Sequence, residues 1–478
     1  MTPERTPILV CGLGSLGQAC LKRLLEFDHP LVCIDQQPPQ WQSAELRTAL
    51  AEGVILGDMR IPSTLKAAGV QRARSVLILS QDTARARVYL GNEVLAMRGY
   101  ETLRGKRVGL LTNPSGVDGR GQSVIDILHK SPKVNLVALF GAEHGVDGKV
   151  PAGKEFPNST HRRTGLPIYS LYGPGPVRKP TAAMLRKIDC LVYDIQDTGA
   201  RSYTFISTMG LCMEECGKAG VEFVVLDRPN PLGGQRVEGL ILNPRFKSLV
   251  GQWKIPYVYG MTAGELAYMI SGEGWISHRP KISIVKMKGW KRSMTWNSTS
   301  LKWIPTSPNI PHGDSPMHYV STGVLGELGA GSGLSIGIGE GMPFECVVST
   351  WMNTDGMARY LNNRRLPGVR FEPIRFKSRR VKNRTYSGVC VRFTNRSIAP
   401  LLPINYHIVD AVKAVAKRDL FATRTKSGRS FNMFDKVNGT DLIRRDLASG
   451  RSGAQIVKSW AKDETRFRQQ RAKYLLYN

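Results

Sequence analysis

An α/β fold with doubly wound parallel sheets is what this sequence predicts, and three observations carry the prediction. From residue 107 to about 230, short apolar runs rich in Val, Leu and Ile alternate with amphipathic helical stretches. Strand–helix alternation at that spacing reads as a parallel sheet. Three of the runs, VNLVALFGAEHG, LVYDIQDTGARS and VEFVVLDRPNP, end in polar turns. Ahead of them stands a strand, a glycine-rich turn and a helix, PILVCGLGSLGQACLKRLLEF. The expected class is a Rossmann-like, doubly wound parallel sheet, then a smaller α+β subdomain, with an extra partial Rossmann unit at the N-terminus.

The bulk numbers fit that class. The 478 residues suggest two to four domains. A chain 41% hydrophobic and 22% charged has material for a normal core and no signature of disorder. The net charge of +29 permits contact with polyanions without naming one, and nucleic acid is not the expected partner. The densest basic run spans residues 364–384. Eight cysteines are scattered without a CxxC and read as buried thiols. No apolar run reaches the ~20 residues of a membrane helix. The first strand follows directly on MTPERT with no secretory leader, so a cytoplasmic protein is expected.

Residues 1–88 form the first unit. Gly12, Gly14 and Gly17 have the GxGxxG spacing between a strand and a helix, and PLVCID ends the next strand at Asp35. The first glycine permits the tight turn, the second lets a pyrophosphate approach, and the third lets helix pack on strand. Asp35 is placed to accept a hydrogen bond from a ribose hydroxyl. NAD(H) is therefore the cofactor expected here. ILVCGLGSLG with GVILGDMRIPSTLKAAGVQRARSVLILSQD resembles the TrkA-type nucleotide-binding domain of bacterial potassium-uptake regulators. The resemblance stops near Asp82, which leaves about half of a dinucleotide fold.

After a junction at 88–105, residues 89–240 read as the Rossmann-like subdomain. KRVGLLTNPSGVD is a strand and turn, GQSVIDILHK a helix, and VNLVALFGAEHG the next strand. A long loop rich in Gly and Pro follows, of the kind that covers binding sites. TAAMLRKID is a helix, DCLVYDIQD a strand, YTFISTMGLCMEECGKAG a helix and VEFVVLDRPNP a strand. Residues 241–478 read as the α+β subdomain. It opens with the helix MTAGELAYMISGEGWI, capped by Thr262, and the strand KISIVKMKGW. It closes with one amphipathic helix across GAQIVKSWAKDETRFRQQRAKYLLY.

In open α/β sheets ligands bind outside the carboxyl ends of the strands. Glu143, Asp194, Asp197, Arg201, Asp227 and Arg228 all follow strands and should share one cleft. There is no GxSxG elbow for a serine nucleophile and no HExxH or clustered acid set for a metal.

The main body resembles the NamZ family of exo-β-N-acetylmuramidases from residue 91 to 478. The motifs are GKRVGLLTNPSGVD, ALFGAEHGVDG, TGLPIYSLYG, LVYDIQDTGARSYTFISTM, VLDRPNPLGG with VEG, YGMTAGELA, SPNIP, PFE and the closing YLLY. The resemblance implies a cleft between two subdomains and release of terminal N-acetylmuramic acid from the non-reducing end of peptidoglycan fragments. Muramyl oligosaccharides are then the partners, and the hydrolase needs no cofactor. Glycoside hydrolysis uses two carboxyl groups flanking the bond. Glu143 is the candidate acid or acid/base. Asp197 leads the candidates for the second carboxylate, held ionised by Arg201, with Asp194, Asp227 and Glu238 also in view. Arg201 and Arg228 suit the lactyl carboxylate of muramic acid, Tyr203 a sugar face, and His144 a substrate hydrogen bond; internal ion pairing and core packing are the alternatives for these side chains. The rival function is an NAD-sensing regulator of potassium-uptake type with an inactive hydrolase-like domain.

Overall fold

The computed structural model describes residues 8–11, 15–26, 30–35, 43–50, 54–56, 62–68, 70–73, 75–78, 87–173, 178–421 and 431–478. The chain divides into two compact units, Met1–Arg87 and Val88–Asn478.

In the first unit four parallel strands, β1 (Ile8–Cys11), β2 (Leu31–Asp35), β3 (Val54–Leu56) and β4 (Ser75–Ile78), lie in the order β3-β2-β1-β4. Both faces are covered. Val10 and Cys33 pack with Leu21, Leu46 and Leu50 on one side, and Leu9, Cys11 and Ile34 with Ala68 on the other. Burial on both faces is why these strands read as continuous apolar runs. Gly17 lies in the helix Ser15–Leu25 and Asp35 closes β2. Gly12 and Gly14 fall outside the described residues.

The second unit is built on seven strands: β5 (Arg107–Thr112), β6 (Asn135–Gly141), β7 (Ser159–Thr160), β8 (Pro167–Ser170), β9 (Cys190–Asp194), β10 (Glu222–Leu226) and β11 (Ile282–Val285). Their order is β11-β10-β9-β5-β6-β8-β7, parallel except for the β7–β8 edge. Side chains alternate between two cores. Leu111, Leu191, Tyr193, Phe223 and Val225 face one; Val108, Leu110, Cys190, Val192, Val224 and Leu226 face the other. The chain leaves β5 towards β6 and returns to lay β9 against the opposite edge of β5. The crevice beyond the carboxyl ends of β5 and β9 is thus a topological switch point, the place where such sheets bind ligands.

The sheet does not stop at residue 240. The helix Ala263–Gly272, opened by a reciprocal Thr262–Glu265 capping box, leads into β11, which pairs with β10. The sequence boundary at 240 therefore falls inside the sheet. ISIV is short and three of its four residues are only half-buried, so nothing local announces its parallel neighbour.

Beyond it, β12 (Cys346–Ser349), β13 (Val369–Lys377) and β14 (Thr385–Phe393) form an antiparallel sheet in the order β12-β14-β13. It shares one large core with the helices Ser315–Gly326, Thr354–Asn362 and Leu402–Ala416. The segment expected as one C-terminal helix is two, Gly453–Ser459 and Ala461–Arg471, broken at Trp460. Phe467 of the second helix returns to the core of the parallel sheet. All eight cysteines are free thiols, and seven are buried. Among the described residues no helix is long and apolar enough to cross a membrane.

Candidate active site

The switch point is locked by short polar links within the β5 turn and between it and the β9 turn. Thr112 Oγ1 donates to the Asp194 carbonyl (2.8 Å), Ser115 Oγ donates to Asn113 Oδ1 (2.5 Å), and the Gln196 amide donates to Ser115 Oγ (3.0 Å). Gly116 makes this approach possible, because a Cβ there would collide with Thr112 Oγ1 and crowd the Asp194 carbonyl. Four buried polar atoms around the crevice have no partner: Asn113 Nδ2, Gln196 Oε1, Asp197 Oδ2 and Thr198 Oγ1. Unpaired buried polar atoms cost free energy, so their collection beside a strand-end crevice points to a bound ligand or water.

Glu143 enters from the end of β6. The loop behind it is shaped by His144 and Gly145 at φ 69° and 73°. His144 Nδ1 donates to the Val150 carbonyl (2.8 Å) and pins the loop. Glu143 is half-buried. Its Oε1 accepts from the Gly153 amide (2.9 Å), and its Oε2 accepts from Thr204 Oγ1 (2.5 Å) and, at 3.5 Å, from the Tyr172 hydroxyl. Burial, then the charge of Glu143, holds that Tyr172 hydroxyl protonated well above its ordinary range. The Tyr203 hydroxyl meets Thr306 Oγ1 (2.8 Å) and lies in the fields of both Glu143 and Asp197.

Asp197 is deeply buried. Its Oδ1 accepts from the Gly199 amide (2.8 Å) and the Tyr259 hydroxyl (3.1 Å), and its Oδ2 is free. Burial pushes its pKa up to about 7, and those two donors only partly oppose the shift.

The expected ion pair between Arg201 and Asp197 does not form. The fully buried Arg201 guanidinium donates instead to the carbonyls of Leu240 (3.1 Å), Ile255 (2.7 Å) and Val437 (2.9 Å). A fork of donors that meets carbonyls from three segments cross-links the structure rather than gripping substrate. Asp194 is equally occupied: Oδ1 pairs with Arg228 Nε (2.5 Å) and Oδ2 accepts from Asn92 (3.0 Å). Arg228 also donates to the Val117 carbonyl (2.7 Å). Asp227 accepts from the Gly264 amide, Thr262 Oγ1, the Tyr477 hydroxyl and the Arg228 amide, and so anchors a helix start and the C-terminus. Glu238 accepts from the Leu401 and Leu402 amides and from Arg236, at the start of the helix Leu402–Ala416. Of the expected carboxylates, Glu143 alone is only half-buried, although both its oxygens are hydrogen-bonded, and Asp197 alone keeps an unpartnered oxygen.

A pocket of about 130 Å³ opens at the ends of β5, β9 and β10, bordered by Ser115, Arg120, Gln196, Arg228, Trp296 and Lys302; Glu143 and Asp197 do not line it. Ser115 and Gln196 escaped the sequence reading because Ser and Gln in a turn carry no chemical signature. Arg120 and Lys302 escaped because they lie 182 residues apart in a chain full of basic residues.

Comparison with known proteins follows the same division. The profile of the exo-β-N-acetylmuramidase NamZ N-terminal region matches residues 108–314, and that of its C-terminal region matches 317–477. A TrkA-N domain profile matches 8–92. The peptidoglycan β-N-acetylmuramidase NamZ of Bacillus subtilis (strain 168) is 37% identical over 400 residues, which covers 83% of this chain and 93% of that one. Two crystal structures of DUF1343 family proteins from Bacteroides fragilis NCTC 9343 superpose with TM-scores of 0.76 and 0.63 at 45% and 28% identity. Each alignment covers 82% of this chain and 99% of the other. The chain therefore belongs to the NamZ family of exo-β-N-acetylmuramidases, with a TrkA-N domain matched ahead of the muramidase body.

Proposed function

We propose that this protein hydrolyses the bond that links a terminal, non-reducing N-acetylmuramic acid to the rest of a peptidoglycan fragment, with Glu143 as acid/base and Asp197 as second carboxylate. The observation that carries the assignment is the state of the carboxylates. Asp194, Asp227 and Glu238 spend their oxygens on internal partners. Glu143 is also hydrogen-bonded, to Thr204 and Gly153, but is the only one of the five that is half-buried rather than buried, and Asp197 keeps Oδ2 unpartnered. The Bacillus relative, a peptidoglycan β-N-acetylmuramidase, supports the substrate class. In this reading Glu143 gives its proton to the leaving glycosidic oxygen. Asp197 is assigned the second role, that of the carboxylate facing the positive charge that develops on the sugar. Gln196 Oε1 accepts from the acetamido N–H, and Arg120 and Lys302 replace Arg201 and Arg228 as partners of the lactyl carboxylate.

The test is hydrolysis of a chromogenic N-acetylmuramic acid glycoside. Glu143→Gln should lower kcat by about 10²–10⁴-fold with its circular dichroism spectrum unchanged. Full activity in that variant refutes Glu143 as the acid, and an inactive wild type refutes the glycosidase.

The TrkA-N match favours a second activity in the first unit. β1, its following helix and β2 ending in Asp35 make the adenosine half of a dinucleotide fold. NAD(H) fits that half, with Asp35 towards the ribose. NADH fluorescence titration of the full chain should show binding that Asp35→Ala weakens; a flat titration refutes it.

A further inference from the structure

A second pocket lies in the C-terminal part of the muramidase body, between the start of the helix Ser315–Gly326 and the end of β14. Its walls include Asp314, His318, Glu345, Arg392, Phe393 and Arg396, around a cavity of about 330 Å³. Ligand sites typically measure roughly 300–1,000 Å³.

His318 marks it as a built site. Its side chain is only 9% exposed, it lines the pocket, and its Nδ1 has no hydrogen-bond partner. An orphaned polar atom that deep costs free energy unless something completes it. The ring packs against Phe393, with centroids 4.8 Å apart and planes at 50°. Burial pulls the imidazole pKa down to about 4, so the ring is neutral near pH 7.

The charges in the pocket are already matched. Arg396 grips Asp314 through Nε–Oδ1 (2.9 Å) and NH2–Oδ2 (2.6 Å). Arg392 sits between Glu372 (2.9 Å) and Glu345 (3.6 Å). A free anion would have to compete with these carboxylates and a free cation with the guanidiniums. What remains is spare N–H edges and lone pairs, the imidazoles of His312 and His318 and a half-buried aromatic ring. That combination suits a ligand with many hydroxyl or amide groups and no net charge. The chain from Thr306, the partner of Tyr203, to Ser315 leads from the catalytic crevice to this pocket.

We propose that this pocket is an accessory subsite for a neutral, N-acetylated amino sugar. That the sugar belongs to the enzyme's own glycan substrate rests on the muramidase reading above; the chemical class of the ligand does not.

Calorimetric titration of full-length Glu143→Gln protein with N,N′,N″-triacetylchitotriose tests it. Binding is expected, and Phe393→Ala and Arg392→Ala, each made in that background, should weaken it about tenfold. In the otherwise wild-type chain neither substitution should change KM for the chromogenic monosaccharide glycoside. Absence of binding, or equal binding in both variants, overturns the subsite. So does displacement of the sugar by inorganic phosphate, which would mark an anion site. An enzyme that cleaves no muramide yet binds chitotriose through Phe393 and Arg392 refutes the catalytic reading and leaves the subsite standing.

Discussion

Asp197 shows how much a single side chain depends on its surroundings. A free aspartate titrates near 3.9; in the fold, burial raises this one to about 7. Between those values the native state binds a proton that the unfolded state has released. The stabilisation from that proton is complete below about pH 4, falls as pH rises, and is gone above about pH 7. The full difference corresponds to up to ~4 kcal/mol. Asp197→Asn removes the titration, so its melting temperature relative to wild type should climb from pH 4.5 to pH 8; a constant difference across that range refutes the raised pKa. Arg201 makes the opposite point. Its charge is buried among carbonyls, and burial lowers its pKa to about 10. Arg201→Met strands the carbonyls of Leu240, Ile255 and Val437 and should cost about 1–3 kcal/mol for each left unpaired, read as a lower melting temperature. A variant as stable as wild type would return Arg201 to the substrate.

At the scale of elements, what the sequence reveals follows from burial. The strands at Leu9–Cys11, Leu110–Leu111 and Cys190–Asp194 are covered on both faces, so their apolar runs stand out from any background. The strand at Ile282–Val285 is half-buried, and its membership in the sheet is decided by Phe223–Leu226, some sixty residues away. The same rule governs the site. That acids follow strands is written locally, and Glu143, Asp194, Asp197 and Asp227 were all found that way. Which oxygen is spent on what is decided at long range: Asp194 meets Asn92 across 102 residues, and Glu238 meets Leu402 across 164. Glu238 therefore acts as a cap for the helix Leu402–Ala416. Glu238→Ala leaves two buried amides unpaired and should cost about 1–3 kcal/mol, with kcat on the chromogenic glycoside unchanged. A kcat loss at full stability would instead place Glu238 in the chemistry.

At the scale of the whole molecule, charge separates the two kinds of binding. Ten Lys/Arg and eight Asp/Glu fall in residues 1–87, so +27 of the net +29 belongs to Val88–Asn478. A surface so basic draws in anionic substrates from a distance, and salt screens the attraction. The substrate proposed for the β5–β9 crevice carries a lactyl carboxylate, and Arg120 and Lys302 border the pocket there. The accessory pocket holds matched charges and is proposed to take a neutral sugar. KM for the N-acetylmuramic acid glycoside should therefore rise several-fold between about 10 mM and about 300 mM salt, while chitotriose affinity stays level. Replacing both Arg120 and Lys302 by Ala should raise KM at low salt and flatten its salt dependence, because the third cation at the pocket, Arg228, is already paired with Asp194 and the remaining charge acts only through the screened field. A salt dependence that survives the double substitution in full would assign carboxylate recognition to other side chains, and a chitotriose affinity that falls alongside would put an unmatched charge in the accessory pocket.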